Sequence, residues 1–182
     1  HAGNDLPRLT PEARLRIPPG FNKMIRPAAA VDTPTLLEMT AATGYFKPLE
    51  VDALREVLDD YHDHNQFDGN RCFVLEEEGK LLGFVYHAPE PMTEGSWTLW
   101  WIVVRPDAQG KGHGGMLLDF VESDARRQGA RMLFVETSGL PLYESTRQFY
   151  LRNGYHEEAR VRDFYAEGDD QVYYRKRLAN AE

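Results

Sequence analysis

The sequence contains a single cysteine, Cys72, so no disulfide can form within the chain. It also lacks an apolar run long enough to cross a bilayer, and it has no signal-peptide pattern. These absences predict a protein of the reducing cytoplasm with no membrane partner. Cys72 lies in the apolar run RCFVLEE, which is typical of a buried thiol rather than a nucleophile.

Positive charge is scarce, because 21 lysines and arginines stand against 29 acidic residues and give a formal net charge of -8. A protein that binds the phosphate backbone of nucleic acid needs a basic face, so nucleic acid is not an expected partner. An acidic chain can favour cationic substrates if its acids line a cleft. Bulk charge alone does not show that they do.

The composition is that of one folded domain, with 42% hydrophobic and 27% charged residues in a chain of 182. Residues 1–20 are rich in proline and have no hydrophobic period, so we interpret them as an N-terminal extension. Residues 21–180 are then a single domain. Hydrophobic spacing and turn residues predict the element order β, α, α, β, β, β, α, β, α, β, β, with hairpin turns at Gly79 and Gly168.

Glycines dominate the stretch RPDAQGKGHGGMLLDF, where Gly110, Gly112 and Gly115 have the G-x-G-x-x-G spacing of a dinucleotide-binding loop. Glu136, about 20 residues further on, would then be the acid that binds a ribose. Two features oppose this interpretation: RPDAQ separates the strand from the first glycine, and hairpins rather than β-α-β units surround the loop. A nicotinamide-dependent oxidoreductase therefore stays only as a third alternative. A Walker loop is weaker still, because Lys111 is followed by glycine instead of Ser or Thr.

Any such loop can hold an anion, since small residues let successive N–H groups face one ligand at the start of a helix. The alternative is a glycine-rich turn without a ligand. Four glycines in six positions would each cost about 0.5–1 kcal/mol inside a helix, which favours a ligand.

Two segments resemble one family. QGKGHG, Gln109 to Gly114, resembles the Q/R-x-x-G-x-G/A signature of the Gcn5-related N-acetyltransferases (GNAT), and WIVVRPDA is similar to the strand that precedes it in them. YESTRQFYLRNGY, Tyr143 to Tyr155, is similar to the later N-x-x-A-x-x-x-Y-x-x-x-G-F/Y helix. The element order from Lys23 to Leu178 also matches. The resemblance implies an α/β fold of the α+β kind, with a mixed, mainly antiparallel central sheet flanked by helices.

The resemblance further implies acetyl-CoA as co-substrate. The backbone of Ile102 to Val104 would pair with the pantetheine arm, and the glycine loop would hold the pyrophosphate. Tyr143 stands where the family usually has a CoA-contacting Asn, and Thr146 replaces a small residue, so both positions depart from the pattern. The implied cofactor-binding residues are Ile102, Val103, Val104, Gln109, Gly110, Lys111, Gly112, His113, Gly114, Gly115 and Tyr143.

Tyr150 falls where the family has a tyrosine near the thioester sulfur. A tyrosine of pKa about 10 stays protonated near neutrality and can donate to a thiolate whose conjugate acid has a pKa near about 8.5. We therefore expect Tyr150 to be the general acid, with a core aromatic as the alternative. The family's fold implies that a main-chain N–H of a distorted strand at Ile102 to Val104 meets the oxyanion.

Glu136 is the first candidate for the general base, because its strand end opens toward the cleft in the family. The alternative is a carboxylate that anchors a loop or an arginine. His87, at the end of LLGFVYH, is a weaker candidate, since a lone histidine is more often structural. No metal ligand set is expected.

Acceptor contacts are sought among tryptophans and the acidic hairpin DFYAEGDD. Alternation puts Trp97 and Trp101 on one face of their strand and Trp100 on the other.

The function expected is acetyl transfer from acetyl-CoA to a primary amine of a small molecule or peptide, and the alternative is a catalytically silent acyl-CoA sensor or interaction domain. An unpaired last strand would allow a homodimer. The remaining acceptor candidates are Asp163, Phe164, Tyr165, Asp169 and Asp170.

Overall fold

The computed structural model of the chain describes residues 23–178, so the N-terminal extension expected at residues 1–20 lies outside the described residues. The helices and strands follow the order that the sequence predicts. Short 3₁₀ turns at Pro106–Ala108 and Pro141–Tyr143 lead into the third and fourth helices. The elements are β1 (Lys23–Pro27), α1 (Thr33–Ala42), α2 (Pro48–Asp63), β2 (Arg71–Glu77), β3 (Lys80–Pro89), β4 (Ser96–Val104), α3 (His113–Arg127), β5 (Met132–Ser138), α4 (Glu144–Arg152), β6 (His156–Ala166) and β7 (Asp169–Arg177).

The seven strands form one sheet in the order β1-β2-β3-β4-β5-β7-β6. Every neighbouring pair is antiparallel except β4 and β5, which are parallel. The prediction of a mixed, mainly antiparallel sheet flanked by helices is thus confirmed.

The expectation of an unpaired last strand is wrong, because β7 lies between β5 and β6. Its residues Val172 and Tyr174 are buried against the core, whereas every residue of β6 is exposed, and burial therefore draws β7 inward.

Helices cover both faces of the sheet, and each face has its own apolar core. On one face α3 and α4 pack through Leu117, Leu118, Val121 and Tyr150. On the other face α1 and α2 pack through a second cluster. That second cluster contains Leu36, Leu37, Leu54, Leu58, Val74, Phe84 and Tyr86.

The tryptophans of β4 do not alternate as the sequence predicts. The register to β3 shifts at Tyr86 and His87, which face Trp101 and Leu99, so Trp100 is the extra residue of a β-bulge. A bulge reverses the faces of the residues beyond it. Trp97 therefore packs on the α3 and α4 side, while Trp101 packs on the α1 and α2 side, and the expectation that they share a face is wrong.

No helix within residues 23–178 has both the length and the apolar character that a membrane crossing requires.

Candidate active site

The sheet opens between β4 and β5. Their parallel pairing is limited to Ser96, Trp97 and Thr98 against Met132, Leu133 and Phe134. Beyond these residues the strands part, and Leu99 and Trp101 to Val104 pair with β3 alone. Backbone N–H and C=O groups on the free edge of β4 can therefore pair with an extended molecule that contains amides.

The glycine loop lies at the start of α3, which follows β4. Gly110 and Gly112 have φ of 71° and 83°, in the left-handed region that favours glycine, and Gly112 is the N-cap. No side chain caps this helix, and its first backbone bond within the helix runs from Met116 N to Gly112 O at 3.1 Å. The amides before Met116 thus leave the positive end of the helix dipole available to an anion.

Packing does not explain the glycines of this loop. A Cβ added at Gly110, Gly112 or Gly115 would meet no atom within 4 Å. Gly115 lacks a positive φ, so an alanine would fit there without strain. Gly114 differs, since its Cβ would come within 3.4 Å of the Phe149 ring. The open space before Gly110, Gly112 and Gly115 leaves the backbone amides at this helix start accessible to an anion.

The polar side chains of the loop bind its own backbone. Gln109 Nε2 donates to Val104 O at 3.1 Å, and Lys111 Nζ donates to the carbonyl of Asp107 at 3.0 Å. His113 is buried, and its Nδ1 lies 2.9 Å from Ala108 O. These side chains shape the loop, and their direct contact with a cofactor stays a prediction.

Tyr150 lies on the α3 and α4 face, next to the opening of the sheet. Its ring is 5.7 Å from Tyr155 and 6.0 Å from Tyr174, and Tyr174 pairs with Val135 of β5. Burial raises the pKa of the Tyr150 phenol. Within residues 23–178 its hydroxyl makes no hydrogen bond, and the oxygen is not completely shielded from solvent. Burial therefore favours the protonated phenol, and its role as proton donor stays a prediction.

Glu136 lies on the opposite face of β5, beside Val135. Gln171 Nε2 donates to Glu136 Oε2 at 2.9 Å, and the Tyr173 hydroxyl also bonds the carboxylate. Burial raises the pKa of Glu136 in spite of these hydrogen bonds. A carboxylate whose pKa is raised by burial is a stronger base than a solvated one, so the surroundings of Glu136 agree with the role expected of it, which stays a prediction.

The cleft beside Glu136 has a volume of about 260 Å³. It also contains Glu90, which follows β3 and accepts a hydrogen bond from Thr98 Oγ1. Sequence reasoning missed Glu90, because an acid in PEPMTEG is typical of a solvated turn. Its place in the cleft depends on the pairing of β3 with β4, where Glu90 N donates to Ser96 O, so no local signal in the sequence indicates it. The lining residues are Glu90, Thr98, Trp100, Phe134, Val135, Glu136 and Tyr173.

His87 lies in the core and away from this cleft. Its side chain is fully buried, and Nε2 lies 2.9 Å from Asp124 Oδ2. Burial lowers the pKa of His87, although the Asp124 carboxylate opposes that shift. The ring stacks on Phe73 and is tilted against Trp97, so it packs as part of the core.

Tyr143, Asp163 and Asp170 are not among the residues that line the cleft. The Tyr143 hydroxyl donates to Tyr45 O at 2.7 Å, so this residue joins α4 to the loop after α1, and its contact with a cofactor stays a prediction. Asp163 and Asp170 bind the backbone and Arg160 of their own hairpin. They are therefore not the acids of the cleft. The expectation that β4 is distorted at Ile102 to Val104 is wrong. Those residues pair regularly with β3, and the bulge lies at Trp100.

Within the described residues, no group of three or more His, Cys, Asp or Glu side chains could hold a metal ion.

The site thus combines a sheet split beside a glycine-rich helix start with a phenol on one face and a carboxylate on the other. Comparison with known proteins identifies the family. The model of the acetyltransferase (GNAT) domain matches residues 68–157. A crystal structure of a GNAT-family protein from Desulfovibrio desulfuricans is 36% identical, with a TM-score of 0.81, over 86% of this chain and 99% of that one. The chain therefore belongs to the GNAT acetyltransferase family.

Two further relatives are more distant. S-(2-succino)cysteine N-acetyltransferase of Bacillus subtilis is 29% identical over 47% of this chain and 54% of its own length. The chain thus matches about half of that curated relative. An acetyltransferase from Salmonella typhimurium, solved with acetyl-CoA, has a TM-score of 0.70 over 88% of this chain and 96% of its own, at 19% identity. At that identity the likeness concerns the fold.

Proposed function

We propose that the protein is an N-acetyltransferase that moves acetyl from acetyl-CoA to a primary amine of a small molecule or peptide. The observation that carries this proposal is the split between β4 and β5, with a donor side and an acceptor side on opposite faces of the sheet. Family membership supports the reaction class. The named activity of the B. subtilis relative, and the acetyl-CoA in the S. typhimurium structure, support the donor and the amine acceptor.

The donor side is built from backbone. The open loop at Gly110, Gly112 and Gly115 would bind the pyrophosphate through N–H groups, and the free edge of β4 would pair with the pantetheine amides. Acetyl-CoA would supply an acetyl group activated as a thioester. Its arm would enter between β4 and β5, so that the thioester faces both sides of the sheet.

The acceptor side prepares the amine. Glu136 would take a proton from the ammonium form, directly or through water, since burial raises the pKa of this carboxyl toward neutrality. Tyr150, on the other face, would donate the phenolic proton to the departing sulfur. Its pKa is raised by burial, so the proton is retained until the transfer.

The first experiment measures thiol release from acetyl-CoA with a panel of amines, amino acids and peptides, and identifies the products by mass spectrometry. Tyr150→Phe keeps the ring and its packing but removes the donor, so kcat should fall about 100-fold or more while acetyl-CoA still binds. Phe149→Leu alters the neighbouring ring and is the control for packing. Wild-type rates in Tyr150→Phe would exclude Tyr150 as the acid.

A catalytically silent acyl-CoA sensor is the second candidate function. The glycine loop suits it equally well, but a sensor has no need of an unbonded phenol at the opening of the sheet. Tight binding of acetyl-CoA without any acetylated product would favour the sensor. Lack of acetyl-CoA binding would exclude both functions.

A further inference from the structure

We propose that Glu90 determines acceptor specificity by holding a second positively charged group, so that the preferred acceptor is a diamine. This inference rests on the proposed N-acetyltransferase function, and it concerns the cleft in which Glu136 lies.

The lining of the cleft attracts cations in two independent ways. Glu90 and Glu136 contribute carboxylates, whereas Trp100, Phe134 and Tyr173 contribute aromatic rings, whose faces attract ammonium groups. Of the described residues that line it, none is a lysine or arginine. Trp100 is the bulged residue of β4 and is 49% exposed, so its ring is presented to whatever enters.

The two carboxylates are held differently, which fits two different tasks. Glu136 is partly buried and bonded to Gln171 and Tyr173, which suits a group that accepts a proton. Glu90 is fixed by the Thr98 hydroxyl through one carboxylate oxygen. Its second oxygen can therefore bind an ammonium that keeps its charge.

The strand register brings the side chains of Glu90 and Glu136 into the same cleft. Thr98 pairs with Phe134, and Glu136 is two residues further along β5. One strand spacing and two residue rises place the backbone of Thr98 roughly 8 Å from that of Glu136. The carboxylate of Glu90, which is bonded to Thr98, is near enough to Glu136 for its charge to raise the pKa of that carboxyl. A short α,ω-diamine therefore fits, with one amine at Glu136 and the other at Glu90.

The same lining opposes an acceptor whose second group is a carboxylate. Two acids without a basic partner in the lining would repel it, and like charges at close range are costly in a partly buried site. The chain should thus differ in specificity from an enzyme that acetylates an amino acid, as the name of the B. subtilis relative says of that protein.

The test compares kcat/KM for putrescine and cadaverine with kcat/KM for n-butylamine and n-pentylamine, at saturating acetyl-CoA. We expect the wild type to prefer the diamines by about tenfold or more. Glu90→Gln should raise KM for the diamines about tenfold more than it raises KM for the monoamines. Glu94→Gln removes the same charge from an exposed position in the same β3–β4 connection and is the matched control.

Glu90→Lys tests the inference by a gain of activity toward acceptors that carry a carboxylate. It should reverse the preference, so that 4-aminobutyrate becomes a better acceptor than putrescine. Absence of acetyl transfer to every amine would overturn the proposed function and this inference together. Transfer at equal efficiency to monoamines and diamines, or an undiminished diamine preference in Glu90→Gln, would overturn the inference alone.

Discussion

Gln171 donates a hydrogen bond of 2.9 Å to Glu136, and both side chains project from paired neighbouring strands, β7 and β5. This bond favours the ionised carboxylate and limits the rise in its pKa that burial causes. Gln171→Leu should therefore raise the pKa of Glu136 further. The acidic limb of the pH profile of kcat/KM should move to higher pH, which steady-state rates between pH 5 and pH 9 would measure.

Gln148→Leu is a matched control for that shift, because Gln148 donates the same kind of bond to Glu144 on the surface of α4. It should leave the acidic limb in place. An acidic limb that stays unmoved in Gln171→Leu would mean that Glu136 is not the group whose ionisation controls the rate.

Glu136→Gln should stabilise the fold while it impairs catalysis. A carboxyl whose pKa is raised by folding binds its proton more tightly in the folded state, so stability falls as pH rises from below its ordinary pKa through the raised one. At neutral pH the amide removes this penalty. Thermal unfolding should shift upward by a few degrees at pH 7 and very little at pH 4, while kcat falls about 100-fold or more. A lower unfolding temperature at pH 7 would contradict the burial argument.

Gly115→Ala distinguishes the effect of this glycine on helix stability from its effect on the affinity for CoA. The added methyl meets no atom within 4 Å and no backbone strain, so the free energy of unfolding should rise by about 0.5 kcal/mol. The same methyl would fill the space proposed for the pyrophosphate. Affinity for CoA, measured by calorimetric titration, should therefore fall.

Ser123→Ala provides the comparison for this change, since Ser123 is exposed in the middle of the same helix. It should raise stability by a similar amount and leave CoA affinity unchanged. Equal CoA affinity in Gly115→Ala and the wild type would remove the assignment of the loop to a phosphate.

Local patterns predict the elements of this fold well. The helical spacing of α2, the turn at Gly79 and the hairpin at Gly168 each depend on residues near in sequence, so the sequence reveals them. The glycine loop and Tyr150 are assigned by motif, and their roles toward acetyl-CoA stay predictions. Long-range pairing is different, because the position of β7 inside the sheet depends on which strand of the last hairpin buries its side chains.

The cleft itself escapes prediction for the same reason. Strict alternation fails at Trp100, since the bulge exists only through the register between β4 and His87 on β3. Glu90 enters the cleft because β3 ends beside the start of β4, where Thr98 holds the carboxylate. Neither fact is encoded in the residues next to Trp100 or Glu90.

The buried Asp124 network provides a test of what His87 does. Asp124 accepts hydrogen bonds from His87 Nε2 at 2.9 Å and Arg71 Nη2 at 3.0 Å. Burial opposes its ionisation, but these bonds prevail and lower the pKa of Asp124 to about 2. Its stabilisation is thus present above the ordinary pKa of 3.8 and is lost as pH falls from there toward 2.

Asp124→Asn should lower the free energy of unfolding at pH 7 by about 3 kcal/mol, because the charge of Arg71 loses its buried partner. The difference from the wild type should shrink between pH 4 and pH 2, as urea titrations would show. Asp119→Asn, an exposed acid on the same helix, should change little. Below the unfolding temperature, Asp124→Asn should keep the wild-type acidic limb of kcat/KM, since His87 is structural. A shifted limb would instead make His87, oriented by Asp124, the group that takes the proton from the amine.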